Sequence, residues 1–486
     1  MKLVEQIKAA LRVSVPLVSI DTPDPAATVA AVQEGVNGDR PKMQWDIVRG
    51  VLPLNDLASD AIARAGGAEE AIMNPVGAMT FASKLPQRSM LFVLNASRYL
   101  DDSAFIQAVW NLRDQFKQSQ RMVILLSPSL RLPPELTNDV VSLSEPLPDQ
   151  ERVSAIIQEV HAAAALEVSE DTLLKATAAT TGLPAFQVEQ LTAMSLTPDG
   201  LVLDDLWERK CRQIEQTPGL SVYRGGETFD SIGGVAYAKM RFYRICVGRY
   251  SPQAIIWIDE IDKQMAGEGD LSGISQDQLG AMLTYMETKK VKGILCVGPP
   301  GCAKSLIAQA AGNEAGIKTI GMDFGAMKGG IVGQSETQMR DALKVISSVS
   351  NERPLFVATC NRTDKLNTAL MRRFPTVFYF DLPTREEKEK IWPIHVSRLG
   401  IAAQDIPNDD LWAGADIRNC CESAWEEDIS LLEAATGIVP VGIRSALEIE
   451  ALRQQANGTY ISASHGGIYR RDAGGSTGGG RKFNLN

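Results

Sequence analysis

Gly293-Ile-Leu-Cys-Val-Gly298-Pro-Pro-Gly-Cys-Ala-Lys304-Ser305-Leu-Ile-Ala-Gln-Ala-Ala311 is the stretch on which the reading of the whole chain turns. An apolar run, Gly293–Val297, passes directly into Gly298, Pro299, Pro300, Gly301, Cys302, Ala303, Lys304 and Ser305. The pattern G-x-x-x-x-G-K-[ST] gains its meaning from context, a strand before it and a helix after it, and both are present here. Leu306 opens the following helical run. Backbone N–H groups of such a loop and of the helix N-terminus cradle phosphates. Lys304 then reaches the terminal phosphate oxygens and the Ser305 hydroxyl serves Mg²⁺. A Gly-rich turn with a chance lysine is the plainer alternative, and the correct flanks weigh against it.

Working outward, two more apolar strands end in polar side chains. Ala254-Ile-Ile-Trp-Ile258 runs into Asp259-Glu260-Ile-Asp262. Asp259 suits support of the metal, and Glu260 suits the base that orients or deprotonates a water. Asp262 reads as a solvated or capping carboxylate. Pro354–Cys360 ends in Asn361, whose amide can hold that water. Arg372 and Arg373 follow a short helical run, and a guanidinium lent to a neighbouring copy's γ-phosphate would stabilise transition-state charge.

At 486 residues the chain exceeds a single core. Its 44% hydrophobic and 22% charged residues describe an ordinary globular protein. A net charge of -10 argues against a dedicated nucleic-acid binder. No apolar run has membrane-spanning length, and the first residues do not read as a signal peptide. Seven cysteines without C-x-x-C spacing read as reduced thiols of a cytoplasmic protein.

The expected organisation is an α/β architecture. Residues 1–150 form an N-terminal α/β domain with strands at Pro16–Asp21, Met90–Asn95 and Met122–Ser127 and a helix over Asp101–Gln118. Residues 151–224 are a helical segment and a linker marked by Thr217-Pro-Gly and Gly225-Gly226. Residues 225–383 hold the chemistry, 384–456 a helical lid, and 457–486 a flexible tail with Gly474–Gly480.

Several motifs together resemble the AAA-type P-loop ATPases over about residues 228–456. They are Phe229-Asp-Ser-Ile-Gly-Gly234, the phosphate loop, Val332-Gly-Gln-Ser-Glu336, Trp257–Asp262, Ala358–Asn361, Ala369–Phe374 and Gly414-Ala-Asp-Ile-Arg418. More loosely the whole chain resembles plastid-encoded and cyanobacterial AAA ATPases with a degenerate ATPase-like N-terminal domain. The resemblance implies ATP and Mg²⁺ as ligands, Ile232 and Gly233 beside the nucleotide, and Arg418 as a second sensor. It also implies a homo-oligomeric, hexameric ring that remodels a protein partner.

Three departures stand out. In the family the carboxylate strand follows the phosphate loop; here Ile255 to about Lys290 precedes it, and Ser350 runs directly into Asn351. One β-α unit is displaced, giving permuted connectivity. The family's parallel sheet has strand order 5-1-4-3-2, so a unit that begins with a strand and ends with a helix has both ends at one sheet edge. Its link back, Thr288–Lys292, must pass one strand, about 10 Å, and five extended residues reach roughly 16 Å. Second, Met327 stands where threading ATPases place a pore aromatic, leaving a weaker partner contact or a plain surface loop. Third, Gln334 replaces an acidic residue. A nucleotide-dependent switch that does not hydrolyse, and a DNA-directed motor, are the rival readings.

Overall fold

The structure, a computed structural model, describes residues 3–36, 38–66, 74–128, 130–249, 251–265, 276–327, 334–363, 366, 368–402 and 404–471. The chain divides into two units: Met1–Thr177 with Leu183–Leu201, and Ala178–Gly182 with Val202–Asn486. No helix among the described residues is long and apolar enough to cross a membrane.

The first unit contains strands β1 (Leu17–Asp21), β2 (Lys42–Asp46), β3 (Gly50–Pro53), β4 (Met90–Leu94), β5 (Met122–Ser127) and β6 (Val141–Ser144). They lie in the order β3-β2-β4-β5-β1-β6. Every pair is parallel except β2 with β3. Strands β1, β4 and β5 are buried almost throughout, as strands covered by helices on both faces must be. The Ser103–Gln118 helix inserts Phe105, Val109, Leu112 and Phe116 into this core. Its Asp102 cap accepts the Ala104 N–H, fixing where the helix starts. Helices Gln150–Ala163, Glu170–Thr180 and Ala185–Met194 follow where the sequence places them. A short hairpin, β7 (Leu196–Thr197) with β8 (Gly200–Leu201), ends the unit.

The second unit carries β9 (Leu220–Val222), β10 (Ala254–Ile258), β11 (Gly293–Val297), β12 (Lys318–Met322), β13 (Pro354–Cys360), β14 (Thr376–Tyr379) and β15 (Ile461–Ser462). Their order is β15-β14-β11-β13-β10-β12-β9, parallel except for β9. The first unit supplies a standard of comparison. Numbering its parallel strands along the chain as β1, β2, β4, β5, β6 gives a spatial order 5-1-4-3-2. In the second sheet β14, β11, β13, β10 and β12 stand in the corresponding places, yet β10, in the third strand's place, comes first in the chain. One strand, β13, separates β10 from β11.

The joints on either side of the β10 unit sit together. Gln253 N donates to Arg353 O at 3.0 Å, and Lys289 pairs with Glu352 at 2.5 Å. Lys290, Asn351 and Glu352 all adopt positive φ, turning the chain sharply at helix ends. The link is thus not stretched: Val291 N bonds Met286 O at 2.9 Å and its side chain is buried.

Three expectations are corrected. The stretch proposed as a linker, Thr217–Gly226, contains β9, whose Leu220 and Val222 are buried as it extends the sheet edge. The tail expected to be flexible from Asn457 is ordered through residue 471. There β15 pairs with β14, Tyr469 meets Tyr379 edge to face with ring centroids 4.6 Å apart, and its hydroxyl donates to Asp381 at 2.6 Å. Aromatic packing and strand pairing hold residues 457–471, ahead of the glycine run that suggested a tail. Met327 is fully buried against Gly219, so it is core and not a partner contact. Residues 328–333, Asn367 and Gly474–Gly480 lie outside the described residues, as does the Gln334 side chain.

Candidate functional site

Strand β11 ends where the phosphate loop begins. Gly298 tolerates no side chain, because a Cβ would lie 2.1 Å from Phe380 O. Gly301 has φ +78°, and a Cβ there would meet Ala415 Cβ at 2.7 Å. The helix Lys304–Ala315 starts behind Ala303, at φ +62° and without a capping side chain, which leaves its first N–H groups to the loop. Cys302 is buried within the loop, and burial pushes its thiol up to about 12. It fills space and is not a nucleophile. Leu306 packs against the core beneath.

Lys304 is 6% exposed and its Nζ donates to Gly298 O at 2.8 Å and Pro299 O at 2.6 Å. Burial lowers the pKa of its ammonium. A phosphate beside it would oppose that shift, since an opposite charge favours the ionised form.

The carboxylate strand and the asparagine strand meet the loop through one hydrogen-bonded set. Ser305 Oγ donates to Asp259 Oδ1 at 2.6 Å, and Thr359 Oγ1 donates to the same oxygen at 2.7 Å. Thr359 Oγ1 in turn accepts Glu260 N at 2.8 Å. Asn361 Nδ2 donates to Glu260 Oε1 at 2.8 Å, and Lys263 Nζ pairs with Glu260 Oε2 at 2.7 Å. Glu260 itself sits at φ +45°, a left-handed conformation that for a non-glycine residue costs roughly 1–2 kcal/mol and marks a position held by its surroundings. Asp262, read as solvated or capping, is 4% exposed, so not solvated, and accepts the backbone Asn361 N–H at 3.2 Å. A cavity of about 300 Å³ opens beside Glu260, Lys263, Pro299, Pro300 and Asn361, with Glu448 on its wall.

The remaining candidates are spread around this centre. Ile232 is buried, and Gly233 approaches the lid so closely that a Cβ would fall 2.3 Å from Ile391 Cγ1. Arg373 pairs with Glu287 at 2.7 Å, while Arg372 is exposed. Arg418 is exposed and turned to Glu422 at 3.7 Å. From its helix it is Ala415 that touches the loop, donating its N–H to Gly301 O at 3.2 Å.

Thr359, Lys263 and Glu387 were not singled out in the sequence. Glu387 is 8% exposed; its carboxylate accepts Val235 N at 2.9 Å and Thr384 N at 3.0 Å, tying the Ile232–Gly234 segment to the lid. The Thr384–Glu387 capping box was a visible signal for it. Thr359 carried a weaker one, sharing a strand face with Asn361 two residues on.

Residues 3–144 match the SpoVK-like AAA ATPase N-terminal domain, and residues 294–354 match the family of ATPases associated with various cellular activities. The second match begins in β11 and stops at the start of β13. The chain is similar to the AAA domain-containing protein ycf46 of Gracilaria tenuistipitata var. liui, 24% identical over 80% of this chain and 86% of that protein. The ycf46 protein of Guillardia theta is 21% identical over 95% of this chain and 96% of its own length. The ATP-dependent zinc metalloprotease FtsH of Rhodothermus marinus is 27% identical over 35% of this chain and 30% of that protein. Sheet order, phosphate loop and these matches together give the chain AAA-family ATPase domains, and it is similar along most of its length to the plastid ycf46 proteins.

Proposed function

We propose that this ATPase hydrolyses Mg-ATP at the loop of the second unit and couples turnover to conformational remodelling of a protein partner. The observation that carries the proposal is the continuous set Ser305–Asp259–Thr359–Glu260–Asn361, which joins the displaced strand to the loop at hydrogen-bond distances. Lys304 and the loop N–H groups bind the β- and γ-phosphates. The Ser305 hydroxyl and the Asp259 carboxylate are hard oxygen donors of the kind Mg²⁺ takes. The ion would neutralise charge on the phosphates. Glu260 takes the proton of a water that Asn361 orients; the water oxygen bonds to the γ-phosphorus as the bond from that phosphorus to the β,γ-bridging oxygen breaks, giving ADP and inorganic phosphate.

Arg372 is the arginine available to a neighbouring copy, because Arg373 is held by Glu287. That supports a homo-oligomeric ring, hexameric by analogy with the family. The first unit is a poor phosphate site. Thr22 and Thr28, at the start of the helix after β1, both donate to Glu145 Oε2 at 2.5 Å. That carboxylate would repel an anion, so we assign this unit to partner recruitment.

The test is steady-state ATPase of wild type beside Lys304→Ala and Glu260→Gln across protein concentrations. Both substitutions should lower kcat by about a hundredfold or more, and wild-type activity per chain should rise with concentration. Wild type that binds ATP yet turns over no faster than either variant would overturn hydrolysis in favour of a nucleotide-dependent switch.

A further inference from the structure

Within the first unit, a cavity of about 680 Å³ lies between the start of the Pro25–Gly35 helix and the Gln150–Ala163 and Ala185–Met194 helices. Its place is the counterpart of the nucleotide cleft in the second unit. There Ala415, at the start of the Gly414–Glu426 helix, touches the phosphate loop that follows β11. Here Ala185, at the start of its own helix, lines the cavity with Asp24 and Ala27, which follow β1. The cleft is present, but its chemistry differs. The segment after β1 reads Thr22-Pro-Asp-Pro25 and holds no lysine. Asp24 accepts the Ala27 N–H at 3.0 Å and Pro25 has no N–H, so the donors a phosphate needs are spent or missing.

What lines the cavity instead is small and apolar. Ala163, Ala164 and Ala193 are exposed, Phe186 is 51% exposed, and Val160 and Leu196 are half-buried. Small side chains on two neighbouring helices let a third helix approach closely. The rim is acidic. Arg152 is neutralised by Glu159 at 2.8 Å, while Asp24 and Glu189 have no cationic partner among the described residues. We propose that this cavity is the docking groove for an amphipathic helix of the partner protein, with large apolar side chains on one face and lysine or arginine along its edge. The apolar face covers Phe186 and the alanines, and the cations meet Glu189 and Asp24. The inference rests on the assignment of this unit to partner recruitment and is independent of hydrolysis.

The experiment measures, by fluorescence anisotropy, binding of a labelled helical peptide of about 15 residues with leucine on one face and lysine on the other. A leucine and glutamate peptide of the same pattern is the control. The proteins are the full chain, Glu189→Lys, Ala193→Trp and Asp60→Lys, whose exposed carboxylate lies outside the cavity lining. Glu189 and Ala193 are both exposed, so thermal midpoints should stay at the wild-type value. The lysine peptide should bind the full chain at least tenfold more tightly than the glutamate peptide. Glu189→Lys should raise its Kd roughly fivefold and Ala193→Trp tenfold or more, with Asp60→Lys unchanged. A lysine peptide that does not bind, or that binds Ala193→Trp as well as wild type, overturns the groove. Equal weakening by Asp60→Lys and Glu189→Lys does so too, because the attraction would then be general. Displacement of the peptide by ATP from the Lys304→Ala chain would make this a nucleotide cleft. An oligomer lost in Ala193→Trp would give the groove to a second copy, and either result overturns the proposal. Because the readout is binding, none of these outcomes touches the hydrolysis reading, which turnover of Lys304→Ala and Glu260→Gln decides separately.

Discussion

Thr359 Oγ1 accepts the Glu260 N–H and donates to Asp259, and both partners come from a segment 99 and 100 residues earlier in the chain. A hydroxyl suits this because it is donor and acceptor in one group. Thr359→Val keeps the shape but strands the Glu260 N–H and leaves the Asp259 carboxylate with Ser305 as its remaining side-chain donor. An unsatisfied buried donor costs about 1–3 kcal/mol. We therefore expect a comparable loss in chemical denaturation and at least a tenfold drop in kcat, with Thr359→Ser close to wild type. Equal kcat in the valine variant would show that Asp259 and Glu260 are positioned without it. Phosphate-loop residues could be found in sequence because their motif is local. Thr359 could not, since its role exists only after two distant strands are laid side by side.

Among the elements, the Arg385–Leu399 lid helix carries a pH-sensitive group. His395 Nδ1 is buried without a hydrogen-bond partner, and burial, with Arg398 and Arg418 nearby, pushes the imidazole from 6.5 to about 4. The folded lid therefore holds it neutral. As pH falls from about 6.5 towards 4, the unfolded chain takes up a proton that the folded chain refuses, and stability is lost. Above that window His395 contributes no pH dependence. Urea midpoints for His395→Leu should be flatter between pH 6.5 and 4 than for wild type, and parallel curves would refute the assignment. The same scale shows what sequence can and cannot reveal. Strands β10, β11 and β13 were legible as continuous apolar runs, the pattern of a strand buried on both faces. Strands β9 and β15, three and two residues long, are too short to show any period. The capping box of Thr384–Glu387 was readable, but its second bond, to Val235, spans 152 residues and was not.

For the molecule as a whole, the second sheet keeps its spatial order while its chain order differs from the first. The joints explain how: Gln253 with Arg353, and Lys289 with Glu352, lie within bonding distance of each other. Moving Ser251–Lys290 to follow Ser350 should then require little rebuilding. We expect the reordered chain to fold with a thermal midpoint within about 5 °C of the parent, a shift of roughly 1 kcal/mol or so, and to retain ATPase activity. A reordered chain that does not fold would show that connectivity, and not only strand placement, is required. The clustered joints also have a consequence in time. On a ribosome adding about 5–20 residues per second, β10 emerges well before its neighbours β12 and β13, the latter 100 residues later at the Asp259–Thr359 contact. For roughly 5–20 seconds an apolar ribbon waits for both its partners, so synthesis of this protein has a vulnerable interval that the family's usual order would shorten.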